Sequence, residues 1–207
     1  MTILLADPRV RAVPVCECGD PLVRLPADLS PTGALVRRAL ADRLLAADAA
    51  LPAGVHLRIV EGYRSPAAQR AIIQWYAAQV RTAHPDASGR ALERLTSRFV
   101  APLDVAPHVA GAAVDLTLVD VCGEELDLGT PIDATPEDSD GRCWFAADGI
   151  GADARAHRDL LRRVLAAQGL VNYPTEWWHW SYGDRYWAVA TCAGHASYGP
   201  VELAVAA

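Results

Sequence analysis

The chain has 207 residues, of which 52% are hydrophobic and 21% charged, and its net charge is −6. That is enough apolar material for one domain with a sizeable core, and too much for a disordered segment. The acidic balance, with no basic stripe set against it, excludes a general nucleic-acid binder or a protein that docks on anionic membranes.

No apolar run approaches the ~20 residues that span a bilayer. The opening Met1-Thr2-Ile3-Leu4-Leu5-Ala6-Asp7-Pro8 lacks a basic leading segment and an apolar core of signal length, so a cytoplasmic protein is expected. The five cysteines, Cys16, Cys18, Cys122, Cys143 and Cys192, are odd in number and scattered, unlike a disulfide framework. Cys16-Glu17-Cys18 has one intervening residue and no second pair, and reads as two reduced thiols.

In chain order, residues 1–30 show no helical period and predict extended segments and turns. Residues 33–51 set Ala, Leu and Val against Arg and Asp at three-to-four spacing, which predicts an amphipathic helix ended by Pro52-Ala53-Gly54. Residues 55–61 (Val-His-Leu-Arg-Ile-Val-Glu) alternate as a strand. After the break at Gly62-Tyr63-Arg64, Ser65 is placed as a helix cap with Pro66 at the first helical position, predicting a helix over 66–83. A shorter helix is expected over 88–99. Pro102, Pro107 and Gly111 make 100–111 irregular, and His108 falls inside it. Residues 112–119 (Ala-Ala-Val-Asp-Leu-Thr-Leu-Val) predict a buried strand. Residues 120–151 are polar, with recurring Gly, Pro and Asp, and predict a long functional loop. A helix follows over 152–169 with Gly169 as its stop, then an aromatic strand over 177–182. No repeat or linker divides the chain, so one α+β domain over 1–207 is expected, with a central, mostly antiparallel sheet and flanking helices.

Two stretches carry chemistry. Pro107 to Asp115 offers an imidazole (His108) and a carboxylate (Asp115) seven residues apart. Thr175 to Trp180 offers Glu176 and His179 three apart. Asp115 interrupts an apolar strand, where a buried charge needs a partner or a metal. Two His and one Asp make three ligands for a tetrahedral zinc with an open fourth position, and Glu176 remains as a base. A salt-bridged Asp and two packed imidazoles explain the same residues one at a time, so spacing alone leaves both readings open. On a regular strand Glu176 and His179 point to opposite faces, so Glu176 must precede the strand or a bulge must intervene. Arg64, in a turn after a strand, is placed to stabilise an oxyanion, though taken in isolation it reads as a structural Arg pairing a surface carboxylate.

Glu61-Gly62-Tyr63-Arg64-Ser65, His108-x-x-Gly111-x-Ala113-x-Asp115-Leu116-Thr117-Leu118, Gly129-Thr130-Pro131-Ile132-Asp133 and Glu176-Trp177-Trp178-His179-Trp180, in this order, resemble the VanX-type D-alanyl-D-alanine dipeptidases. These are zinc peptidases related to the D,D-carboxypeptidases and the Hedgehog-like fold. The resemblance covers roughly residues 55–183. It implies one Zn²⁺ per chain held by His108, Asp115 and His179. Glu176 is then the base that takes a proton from zinc-bound water, Arg64 stabilises the tetrahedral intermediate, and Asp133 receives the substrate's free ammonium. The implied substrate is a small peptide, D-Ala-D-Ala or a related D,D-dipeptide. A D,D- or L,D-carboxypeptidase on cell-wall peptides, a peptidase or amidase of a specialised pathway, and a non-catalytic zinc module are the alternatives. Two departures bear on substrate identity: Ala106 stands where the family typically has Ser, and the N-terminal stretch lacks the family's pocket-lining pattern. Oligomeric state has no signal in the sequence.

Overall fold

The computed structural model describes residues 2–203. Its centre is a four-stranded antiparallel sheet with strand order β3-β4-β6-β5, from Val55–Glu61 (β3), Ala113–Asp120 (β4), Val171–Asn172 (β5) and His179–Ser181 (β6). A separate hairpin pairs Leu22–Arg24 (β1) with Leu35–Arg37 (β2). Six helices, Pro8–Ala12 (α1), Arg38–Ala49 (α2), Pro66–Ala83 (α3), Gly89–Thr96 (α4), Ala152–Ala167 (α5) and Arg185–Thr191 (α6), complete the α+β architecture among the described residues. No helix of the described residues is long and apolar enough to cross a membrane.

β4 is the axis because it is buried along almost its whole length. On one face Leu116 and Leu118 oppose Ile59 and Leu57 of β3. Leu40 and Leu44 of α2 and Leu161 and Leu165 of α5 join them in one apolar cluster. The other face carries Asp115 and Thr117, since strand side chains alternate. Between Ile59 and Glu61 the register with β4 shifts by one residue, so Glu61 rather than Val60 lies opposite Asp115. This bulge turns the end of β3, and the Arg64 turn that follows it, toward the polar face.

The expected strand over 55–61 and helix over 66–83 appear with those bounds, and the Ser65 hydroxyl accepts from the Ala68 N–H. Three expectations are corrected. Residues 35–37 are a strand, not the start of the 33–51 helix. Distant backbone claims them: they pair with Leu22–Arg24 of β1, Tyr63 N–H donates to Leu35 O, and Arg37 N–H donates to Gly111 O. The opening 30 residues include the helix α1, whose N–H groups begin at the Asp7 carboxylate with Pro8 in the first turn. The aromatic strand is shorter than 177–182: Glu176 and Trp177 lie in a turn closed by His179 N–H to Glu176 O, and Trp177 N–H donates to Cys143 O.

The long loop between β4 and α5 is tied down by one residue. Arg158, with no solvent exposure, donates from Nε to Leu128 O (2.7 Å), from Nη1 to Trp144 O (2.6 Å) and Phe145 O (3.3 Å), and from Nη2 to Arg142 O (2.9 Å). Its charge faces carbonyl dipoles and the Trp177 ring rather than a carboxylate.

Candidate active site

Three strands deliver the polar residues to one place. Glu61, Asp115 and His179 stand abreast on β3, β4 and β6, and residues directly opposed across antiparallel strands project to the same side. His108 enters from the irregular segment before β4, in a single helical turn (His108–Ala110) that Gly111 ends at φ 64°, a left-handed conformation suited to glycine. The imidazole is aimed by its own backbone neighbours: His108 Nδ1 lies 2.7 Å from Gly62 O, while Arg64 N–H donates to His108 O. Gly62 is required there, because a Cβ would come within 2.5 Å of Leu35 O.

The three donor atoms converge. His179 Nδ1 lies 3.1 Å from His108 Nε2 and 3.1 Å from Asp115 Oδ1, and His108 Nε2 lies 3.4 Å from Asp115 Oδ1. Two ligands each ~2.0–2.1 Å from a tetrahedral zinc stand about 3.4 Å apart, so the donors are spaced as three corners of such a site. All three residues are buried. With His108 Nδ1 bonded to a carbonyl, the lone pair of Nε2 is left facing the other two donors. The donor set therefore fits zinc in type, number and spacing. Burial alone would raise the Asp115 carboxyl, but His108 and His179 override it and hold it well below the usual carboxylate range.

Glu176 sits beside this trio with Oε2 3.8 Å from His179 Nδ1 and with Oε1 buried and unpartnered. It lies before the strand proper, which is how a residue three positions from His179 shares its site. One amide fixes that turn: Asn172 Nδ2 donates to Glu176 O (2.9 Å), Trp177 O (3.4 Å) and His179 O (3.0 Å). Burial first, then the Asp115 and Asp133 carboxylates, push the Glu176 carboxyl well above its ordinary value, with Arg64 opposing them.

Arg64 is gripped on both sides. Glu61 takes its Nε and Nη2 as a bidentate pair, and Gln69 Oε1 accepts from Nη1 at 2.9 Å. Buried Gln69 is itself held by donation from Nε2 to Ala101 O. Three of the five guanidinium donors are used, leaving two for a substrate oxygen. Asp133 has φ 63° in the loop after β4 and stands at the rim of the same cleft. Partial burial first, then the Asp115 and Glu61 carboxylates, push its carboxyl up to about 6. Glu61, Arg64, Gln69, His108, Asp115, Asp133, Glu176 and His179 all line one cavity of about 240 Å³.

Residues 30–195 match the family of the D-Ala-D-Ala dipeptidases. The chain belongs to that family. It is similar to the D-alanyl-D-alanine dipeptidase of Synechocystis sp., 33% identical over 114 residues, 49% of this chain and 46% of the relative. It is also similar to the Enterococcus faecalis protein of the same name, 29% identical over 146 residues, 66% of this chain and 69% of the relative. The matched stretch thus spans about half the length of the Synechocystis protein. Among solved structures, "VanYB in complex with D-Alanine-D-Alanine" is 20% identical, with a TM-score of 0.49 and 88% of each chain covered.

Within this dipeptidase-family cleft, all six residues selected from the sequence meet. Sequence reasoning gave no role to Gln69, Asn172 or Arg158. Gln69 carried a faint signal, one turn beyond the Ser65-Pro66 helix start and so beside the Arg64 turn. Asn172 and Arg158 act through backbone carbonyls, which leave no residue-type pattern. Ala106 is buried in the cleft wall, and Leu5, outside the family-matched residues, lines it too.

Proposed function

We propose that the protein is a zinc dipeptidase that cleaves D-Ala-D-Ala, or a related short D,D-peptide with a free amino terminus. The observation that carries this reading is the convergence of His108 Nε2, Asp115 Oδ1 and His179 Nδ1, with the unpartnered Glu176 Oε1 beside them. Bound by His108, Asp115 and His179, zinc supplies Lewis acidity toward the carbonyl and the water that react.

The protein's own groups do the rest. Glu176, raised in pKa by its buried setting, takes the proton of the attacking water and returns it to the departing amine. Arg64, immobilised by Glu61 and Gln69, offers its two remaining donors to the carbonyl oxygen as negative charge builds there. Asp133 receives the ammonium and so sets how far the peptide enters. In this role the enzyme removes a D-Ala-D-Ala wall precursor or recycles wall fragments. A cytoplasmic setting is part of the proposal and is supported by four exposed free thiols, Cys16, Cys18, Cys122 and Cys192, which suit a reducing compartment.

The test is alanine release from D-Ala-D-Ala by zinc-loaded protein, with L-Ala-L-Ala and D-Ala-D-lactate alongside. Cleavage of D-Ala-D-Ala that a chelator abolishes and zinc restores is expected. No release from any of the three, with one zinc still bound per chain, would overturn the proposal.

A further inference from the structure

The cleft contains a surface that this chemistry leaves unused. Beside the polar groups its wall is built from Leu5, Ile72, Trp75, Phe99, Val100 and Ala106. Ile72 and Trp75 follow Gln69 at three-residue steps on α3, so the helix face that holds Arg64 continues as an apolar wall. Ala106 and Leu5 present only hydrocarbon and are almost fully buried; Leu5 is seated by its N–H donating to the Tyr173 hydroxyl (3.2 Å). Trp75 is different: the residue is 54% exposed, a large apolar group left half in water where it meets the cleft.

The polar groups and this apolar wall share one cavity of about 240 Å³, so a side chain reaching the wall lies within the same cleft as the reacting groups. The two methyl groups of D-Ala-D-Ala cover little of such a wall, and apolar area gains only from apolar area removed from water.

We propose that the preferred substrate is a D,D-dipeptide in which one residue carries a branched aliphatic or aromatic side chain, and that Trp75 is a specificity-determining residue that covers it. This rests on the dipeptidase reading above and narrows it. The order of the peptide is left to the experiment, which reads both orientations.

The probes are D-Ala-D-Ala, D-Ala-D-Leu, D-Leu-D-Ala and D-Ala-D-Phe, assayed with zinc-loaded protein. At least one larger dipeptide is expected to exceed D-Ala-D-Ala in kcat/KM by about tenfold or more, the usual worth of a few added carbons in a fitted pocket. Trp75→Ala, at a half-exposed position, is expected to bring that ratio toward one. Calorimetric binding of the same dipeptides to zinc-loaded Glu176→Gln protein should follow the same order. If D-Ala-D-Ala is cleaved and bound as well as or better than every larger dipeptide, this inference falls while the dipeptidase reading stands. If no dipeptide is cleaved or bound, the dipeptidase reading falls and takes this one with it.

Discussion

Asp115 stands directly across the sheet from His179, and its Oδ1 lies 3.1 Å from the His179 Nδ1. Backbone register therefore delivers two of the three donors before any side chain reaches for the metal. Asp115→Ala leaves that register in place and removes one donor. It is expected to weaken zinc binding by more than the ~10–100-fold typical of losing an outer partner. Titration against a chromophoric chelator measures this directly; an affinity within tenfold of the unaltered protein would contradict the ligand set.

Glu176 separates metal binding from turnover. Glu176→Gln is expected to keep zinc and lose about 10²–10⁴-fold in kcat. Stability of the metal-free protein should move the other way. The folded-state pKa of Glu176 lies above its ordinary value of 4.5, so stability present at low pH is lost as pH rises past that value. The Gln variant escapes that loss, and its melting temperature should exceed that of the unaltered metal-free protein at neutral pH but not at pH 4. Equal melting temperatures at neutral pH would show that burial costs this carboxylate nothing.

Asp133 should appear in the acid limb of the pH profile. Only its ionised form can receive an ammonium, and its carboxyl is pushed up to about 6. Solvent access at the rim limits that rise, so kcat/KM is expected to fall as pH drops through 6 and below, chiefly through KM. In Asp133→Asn the low-pH rise in KM should vanish, because KM is already high at every pH. A profile unchanged by that substitution would remove Asp133 from substrate recognition.

Arg158 is expected to matter more than any surface ion pair. Arg158→Met would leave the carbonyls of Leu128, Arg142, Trp144 and Phe145 short of donors in a buried setting, at about 1–3 kcal/mol for a buried group left unsatisfied. Arg158→Lys should recover little, since an ammonium cannot reproduce the planar fork. Chemical denaturation of the two variants checks both statements, and a loss below about 0.5 kcal/mol for Arg158→Met would refute the first.

Where structure follows from neighbouring residues, the sequence was readable. The alternation of 55–61 and the Ser65-Pro66 cap gave β3 and α3 their observed bounds. The same logic was available for Asp7-Pro8, whose cap opens α1, but the helix is too short to show a period. Residues 35–37 depart from the helical period because their conformation is decided by pairing with β1 and by hydrogen bonds to Tyr63 and Gly111, distant in the chain. At the site, residue types announced His108, Asp115, Glu176 and His179, while their supports stayed hidden. Asn172 and Arg158 are ordinary polar residues whose partners are carbonyl groups, and a carbonyl is the same in every residue.

The bulge at the end of β3 gives the strand an odd-or-even arithmetic. Between Leu57, which belongs to the core, and Glu61, which grips Arg64, the chain counts one residue more than its partner strand. Deleting Val60 would remove only the extra residue, leaving Glu61 directly after Ile59, still opposite Asp115 and still on the polar side. Deleting Ile59 together with Val60 would set Glu61 opposite Leu116 and on the hydrophobic side, taking the brace of Arg64 with it. Insertions and deletions in this strand are thus sorted by whether their number is odd or even, a rule that no single-residue substitution scan would reveal.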